Sequence, residues 1–491
     1  MYLNIYRLLK ILSGPIAGAI LWYLFKDNDN EQIGAACFVV AWMAFWWIFE
    51  AVNIYITALL PLVLFPLLGV ASMKEVAPNY MNHIIFLFIG GFILAFAMER
   101  WNLHKRLALK IILMMGSSPG SILLGFMLAS YFLSMWIMNT ATVMMLLPAI
   151  LAVIKHLDEN TSSKEKSLHT PFLLGLAYAS SIGGTATVIG TAPNVYLMQF
   201  FNENFPDYPP ITFATWMLFG VPISLAFFII CYWLIRWKYL QGMHDIRLDI
   251  NYCRKQYKDL GKMSFEENVV SIVFLITILL WFFEKDIVIG SFTIPGWSDI
   301  LTDPSMVSEG TVAILSAVIL LIFPSKSERG KTIISWKEVQ KLPIGVILLF
   351  GAGFALASGI MSSGLSNWLA DNLIGITNMN PFIMVFLLCS FMTFFTELTS
   401  NTASTILVLG FLIPIAQNAN YHPLLLLLPV TISASYAFML PVATPPNTIV
   451  FGSEKISIGE MMKTGILLNL TGIALLILFL FSIGKWVFGI N

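Results

Sequence analysis

The sequence predicts an all-α polytopic membrane protein of about eleven transmembrane helices plus two re-entrant hairpins. Three observations lead there. The 491 residues are 58% hydrophobic and only 11% charged, against about 25% charged in soluble globular chains. Apolar runs of roughly bilayer length, about 20 residues, recur from end to end. Two polar knots, 134–142 and 397–405, interrupt that pattern at matched positions: Asn139 and Asn401 stand 262 positions apart, as do Gly91 and Gly353. Two copies of one unit, each with a polar break at the same place, imply a carrier built from internal repeats.

Taken in order, spans are expected near 11–26, 33–50, 53–70 and 84–99, the last passing into the basic stretch Arg100 to Arg106, which reads as an interfacial amphipathic segment. The runs 119–136 and 140–154 are each short for a crossing. Together they read as a hairpin over 119–154 that enters and leaves on one side, its irregular tip tolerable only against protein or a wet cavity. The span 171–199 is broken at Gly183 to Asn194, where glycines, hydroxyls and Pro193 interrupt the helical pattern. A further span, 212–236, precedes a basic connector over 238–267. The second half repeats the plan: spans near 268–283, 308–324 and 343–369, a hairpin at 381–417, a broken span at 423–452 and a last span at 463–487. On this reading 1–83 are N-terminal scaffold helices and 84–237 the first set of transport elements. Residues 268–342 are second-repeat scaffold helices, and 343–491 hold the second transport elements and the last helix. Trp42, Trp46 and Trp47 read as a scaffold surface facing lipid or a second subunit, and the four scattered cysteines as small buried apolar residues.

Orientation follows from the basic residues. With the N-terminus cytoplasmic, 23 of the 27 fall in inner loops, and only Lys26, Lys74, Lys285 and Lys485 fall outside. One miscounted hairpin would invert every later loop, so the lopsided split supports the hairpins as well. The first hairpin then opens inward and the second outward, giving two repeats of inverted topology.

The chemistry lies at the four polar breaks. Uncapped helix ends present N–H groups with partial positive charge and C=O groups with partial negative charge. Ser, Thr and Asn in the knots add neutral donors and acceptors, with no Lys or Arg among them. Such a place suits a carboxylate held by neutral donors, with hard cations such as sodium on the carbonyl and hydroxyl oxygens offsetting its charge. A cation-coupled anion site is the consequence. Glu397 reads either as a cation or proton partner or as an acceptor for nearby N–H groups. Ser180 and Thr471 read as hydroxyls bonding back to their own helices.

These residues carry a resemblance. The tips Met138-Asn139-Thr140 and Ser400-Asn401-Thr402, their flanks Leu133 to Ile137 and Thr396-Glu397, and the stretch Leu440 to Asn447 resemble the divalent-anion:sodium symporter family of dicarboxylate and citrate carriers, over nearly the whole chain. The resemblance implies a dicarboxylate held by Asn139, Thr140, Ser400, Asn401 and Thr402, with Thr191, Thr444 and Pro445 from the broken helices. It implies one sodium ion near Ser134, Asn139, Gly190 and the Met138 carbonyl, and a second near Thr396, Asn401 and the carbonyls of Thr399 and Ala443. It also implies a homodimer in the cell membrane whose transport domains move as elevators against a fixed scaffold. C4 dicarboxylates with sodium are the expected cargo, and sodium-independent dicarboxylate or citrate exchange is the alternative within the same class.

Met138 departs from the family pattern, which has serine there. Its carbonyl remains for a cation, but its thioether donates no hydrogen bond, so a bulkier or less hydroxylated anion is expected to be favoured. Other classes find no support. No nucleophile–base pair or HExxH marks an intramembrane enzyme, no P-loop marks direct ATP coupling, and no basic stripe marks nucleic acid. Paired closed hairpins argue against a continuous pore.

Overall fold

The computed structural model of the chain describes residues 5–25, 31–158, 168–242, 250–289, 292–368 and 379–490. Lys26, Lys164, Lys166, His244 and Arg247 lie outside the described residues, as does the end of the expected span 343–369. The described residues are mostly helical, with a single short two-stranded ribbon among them.

Among the described residues, seven helices are long and apolar enough to cross a membrane: Ile5–Phe25, Glu31–Ile48, Met73–Arg100, Phe213–Tyr239, Phe265–Phe282, Ile344–Ser362 and Ile458–Phe488. They match seven of the expected spans. The remaining four take other forms. The expected span 53–70 is two short helices, Ile54–Thr57 and Leu60–Leu67, separated by a turn at Ala58 and Leu59. Asn53 starts the first by accepting from the Tyr55 N–H at 3.0 Å, while Pro61 and Pro66 deny the second two of its donors. The span at 308–324 is the 14-residue helix Glu309–Ile322. The two broken spans are helix pairs: His169–Gly184 with Ala192–Asn204, and Leu424–Ser433 with Pro445–Phe451.

The hairpins are built to one plan. Pro119–Ser134 and Pro381–Thr396 are both 16 residues long, or about 24 Å of helix, short of the ~30 Å apolar layer. Each starts on a polar cap followed by proline, a combination that presets the first turn. Ser118 accepts from the Ser121 N–H at 3.2 Å and Asn380 from the Phe382 N–H at 2.9 Å. Each chain then turns and returns, along Asn139–Asp158 in the first hairpin and Asn401–Gln417 in the second.

Glycines set the close approaches that hold this together. A Cβ on Gly90 would lie 2.5 Å from Ala313, so the helices at 83–100 and 309–322 touch backbone to backbone. A Cβ on Gly183 would lie 2.3 Å from the Tyr131 carbonyl, which fixes the first broken helix against its hairpin. Tyr178 then donates across the halves to the Phe438 carbonyl at 2.8 Å.

Trp46 and Trp47 are buried within the chain rather than presented to lipid or a partner. Trp46 Nε1 donates to the Ile11 carbonyl at 2.8 Å, and Trp47 Nε1 to the Ile54 carbonyl at 3.2 Å. An indole N–H with a nearby carbonyl gains more by pairing than by facing hydrocarbon. The four cysteines are buried, as expected. The basic stretch after residue 100 becomes the helix Leu103–Met115, whose buried Arg106 pairs with Glu267 at 3.0 Å and donates to the Gly261 carbonyl at 2.8 Å. The sequence reading gave no sign of the two-stranded ribbon Ile287–Ile289 with Phe292–Ile294.

Candidate functional site

Each hairpin tip closes on itself in the same way. Ser134, the last residue of the first inbound helix, donates to Asn139 Oδ1 in a short hydrogen bond. Thr396, at the matched position, donates to Asn401 Oδ1 at 2.8 Å and to the Ala434 carbonyl at 3.0 Å. The asparagines are thus held by their oxygens while opening the helices Asn139–Asp158 and Asn401–Gln417. Their first-turn N–H groups have no acceptor within the helix and carry the positive end of its dipole. Two such ends meet at one cavity.

The broken helices obey a second symmetry. Asn194 Nδ2 donates to the carbonyls of Gly184 and Thr187 at 3.2 and 2.8 Å, staking the break open. Asn447 Nδ2 does the same to Ala437 and Leu440, both at 3.1 Å. Each residue of the first set precedes its counterpart by 253 positions, as Thr191 precedes Thr444. Both threonines sit in extended backbone at the helix start, with φ and ψ of −148° and 145° for Thr191 and −140° and 148° for Thr444.

The expected role of helix-end N–H groups is narrower at the second break. Pro445 and Pro446 have no N–H, and the Asn447 N–H is taken by Thr444 Oγ1 at 3.3 Å. Donors for an anion therefore come mainly from the hairpin tips and the threonine hydroxyls.

These elements enclose a cavity of about 690 Å³. Asn139, Thr140, Thr191, Ser400, Asn401, Thr402, Thr444 and Pro445 all line it, as do Met138, Gly190 and Ala443. Ser134, Thr396 and Thr399 do not reach it and lie buried within the tips. Thr399 donates to the Phe395 carbonyl at 3.0 Å and makes a short hydrogen bond with Ser404. Phe88, Phe92, Trp136, Met144 and Ile189 form an apolar wall. Among the described residues, the lining contains no lysine or arginine and Glu50 is its one charged residue. The lining also reaches Glu50, Ile54 and Val346.

The oxygen donors at the tips are the hydroxyls of Ser134 and Thr396, the amide oxygens of Asn139 and Asn401, and nearby carbonyls. That set fits a hard ion such as sodium. Glycines bring the backbone within reach. A Cβ on Gly184 would sit 2.6 Å from Asn139 Oδ1, and one on Gly190 would sit 2.5 Å from the Gly184 carbonyl.

Two groups play larger parts than the sequence suggested. Ser180 does not bond back to its own helix. It donates to the Asn139 carbonyl at 3.0 Å and lies 3.2 Å from Ser134 Oγ, joining broken helix to tip. Thr471 does bond back, to the Leu467 carbonyl at 2.6 Å. Thr187 ties the first break to the Met135 carbonyl and accepts from the Gly190 N–H at 3.1 Å. The signal for the broken-helix residues was present as the 253-residue offset linking Thr191 to Thr444 and Asn194 to Asn447.

Comparison with known proteins agrees with this architecture. Residues 12–490 match the family described as the sodium:sulfate symporter transmembrane region. The chain belongs to that family of membrane carriers. It is 41% identical over 498 residues to the sodium-dependent dicarboxylate transporter SdcS of Staphylococcus saprophyticus, covering 99% of this chain and 93% of that one. It is 40% identical over 499 residues to SdcS of Staphylococcus aureus, covering 99% and 92%. The solved structure of Neisseria gonorrhoeae MtrF, described with a class of antimetabolite efflux pumps, shares the fold at a TM-score of 0.59 and 11% identity, over 85% of this chain and 84% of that one.

Proposed function

We propose that the protein carries C4 dicarboxylates of the succinate, malate and fumarate class across the cell membrane, driven by sodium. The observation that carries this reading is a cavity faced by two helix N-termini and a ring of amides and hydroxyls, with no cationic side chain among its described lining residues. A doubly charged anion in such a place needs mobile cations, because neutral donors alone do not repay its desolvation. The SdcS relatives are named for sodium dependence and for dicarboxylates, which supports the same pair of cargoes here.

In this mechanism sodium enters beside Ser134, Asn139, Gly190 and the Met138 carbonyl, and beside Thr396, Asn401 and the carbonyls of Thr399 and Ala443. The ions draw the tips into register and add positive charge behind the asparagines. The anion then spans Asn139 and Thr140 on one side and Ser400, Asn401 and Thr402 on the other, with Thr191, Thr444 and Pro445 closing the ends. The hydrogen bonds joining hairpins and broken helices support their moving as one body, an elevator, against the scaffold of a homodimer with cytoplasmic N-termini. The concentration of basic residues in the loops expected on one side of the membrane supports that orientation.

Uptake of radiolabelled succinate by proteoliposomes tests the reading. Concentrative uptake into empty vesicles that needs external sodium, and fails in potassium or choline, is expected. Uptake that depends only on internal dicarboxylate would identify an exchanger, and no flux of any dicarboxylate would remove the assignment.

A further inference from the structure

Among the described residues, Glu397 is the one buried charge beside the hairpin tips, and carriage of the two cargoes as derived makes no use of it. It follows Thr396 directly at the end of the second inbound helix and is 3% exposed. Its Oε1 accepts from the N–H groups of Phe438 at 2.8 Å and Met439 at 2.9 Å, and its Oε2 from that of Leu440 at 3.0 Å. Asn469 Nδ2 from the last long helix donates to Oε1 at 2.8 Å. Three consecutive backbone N–H groups and an amide form a closed nest around one carboxylate. All four partners donate to it, which is the arrangement that suits a carboxylate in its anionic form.

Among the described residues, the first half has no such carboxylate at the matched place. The matched position is Met135, whose carbonyl accepts the Thr187 hydroxyl. The two candidate cation sites are therefore alike in their hydroxyl–amide pairs, Ser134 with Asn139 and Thr396 with Asn401, but unlike in their background charge. Only the second adjoins a fixed negative charge, in surroundings where charge is weakly screened. The nest also pins the unwound segment 438–440, and Ala443 follows three residues after it.

We infer that Glu397 is a positioning residue for the second cation site, holding its backbone in place and biasing sodium toward that site over the first. The proposal rests on the sodium-coupled reading above. The site beside Thr396 then fills at lower sodium concentration than the site beside Ser134, both ahead of the anion.

Full-length Glu397→Gln and Glu397→Asp proteins in proteoliposomes test this through the sodium dependence of succinate uptake. Glu397→Gln is expected to raise the half-activating sodium concentration about tenfold, the weight of one modest charge interaction. The succinate KM at saturating sodium should stay within about threefold. Glu397→Asp should recover part of the sodium affinity. An unchanged sodium dependence, or parallel losses of sodium and succinate affinity, would overturn the inference.

A second measurement does not depend on changing Glu397. Sodium alone, without anion, should raise the melting temperature of the wild type in detergent at low concentration. Ser134→Ala should keep that low-sodium shift and Thr396→Val should lose it. The reverse order, or equal effects, would also overturn it. A wild type without sodium-driven uptake of any dicarboxylate removes the underlying reading, and this one with it.

Discussion

Ser134 and Thr396 end inbound helices of equal length, and each gives its hydroxyl hydrogen to the asparagine five residues on. Around this shared geometry the tips diverge at several matched positions, and two of those differences change the chemistry beside the asparagine most. Met138 faces the cavity where Ser400 offers a hydroxyl, and Met135 stands where Glu397 offers a charge. What the repeats keep is the backbone turn and the amide. What they vary is the side-chain chemistry on either side of it. A cradle that must hold the two ends of one small anion needs matched geometry, whereas choosing between anions and ordering the cations need the two ends to differ.

The largest effect should come from the element the tips share. Asn139→Ala and Asn401→Ala each remove the amide that a buried hydroxyl and the cavity both use, and each should lower uptake at least about thirtyfold. Parallel initial-rate measurements check this, and a loss confined to one tip would break the pairing. Next is Gly184→Ala, whose new Cβ would meet the Asn139 amide at 2.6 Å. It should cost about tenfold in uptake with the fold retained. Gly410→Ala, with its nearest neighbour at an ordinary 3.7 Å, should be near neutral in the same assay.

A smaller effect sharpens the difference between the tips. Met138→Ser makes the first tip resemble the second and restores a donor toward the cavity. Competition against labelled succinate should show malate gaining about threefold to tenfold relative to succinate, the value of one hydrogen bond. An unchanged ranking would leave Met138 without a role in selection.

The smallest effect lies away from both tips. Glu284, just beyond the helix Phe265–Phe282, is buried, and its carboxyl is pushed up to about 8 by that burial and by the charge of Glu309. The unfolded chain releases this proton near 4.5, so stability is full below that pH and declines as pH rises toward 8. Glu284→Gln should flatten this decline and raise the melting temperature at pH 8.5 by about 2–4 °C. Melting curves across pH check it, and neither tip should respond.

Much of this was legible in the sequence because bilayer physics is coarse. Apolar runs mark spans, and polar knots within them stand out as costs that need a reason. The 262-residue offset carried the hairpins and both asparagines, and the eight residues expected around an anion line one cavity. Finer features were hidden for identifiable reasons. The short helices at 54–67 are apolar apart from Thr57, so composition alone could not show the turn between them. The tryptophans of the second helix looked like lipid anchors because their carbonyl partners, Ile11 and Ile54, lie on other elements. Ser180 resembled any membrane-helix serine until its partner across 41 residues was in view. The grip of Glu397 on residues 438–440 depends on an unwound segment whose N–H groups only the fold reveals.

The central claim is that a cradle without a cationic side chain holds its anion only with sodium present. Equilibrium binding of labelled succinate to the purified protein in detergent, in sodium and then in choline at equal ionic strength, tests it most directly. Saturable binding in sodium that disappears in choline is the result predicted. Equal affinity in the two salts would contradict it, because the neutral tips would then be holding the dianion unaided.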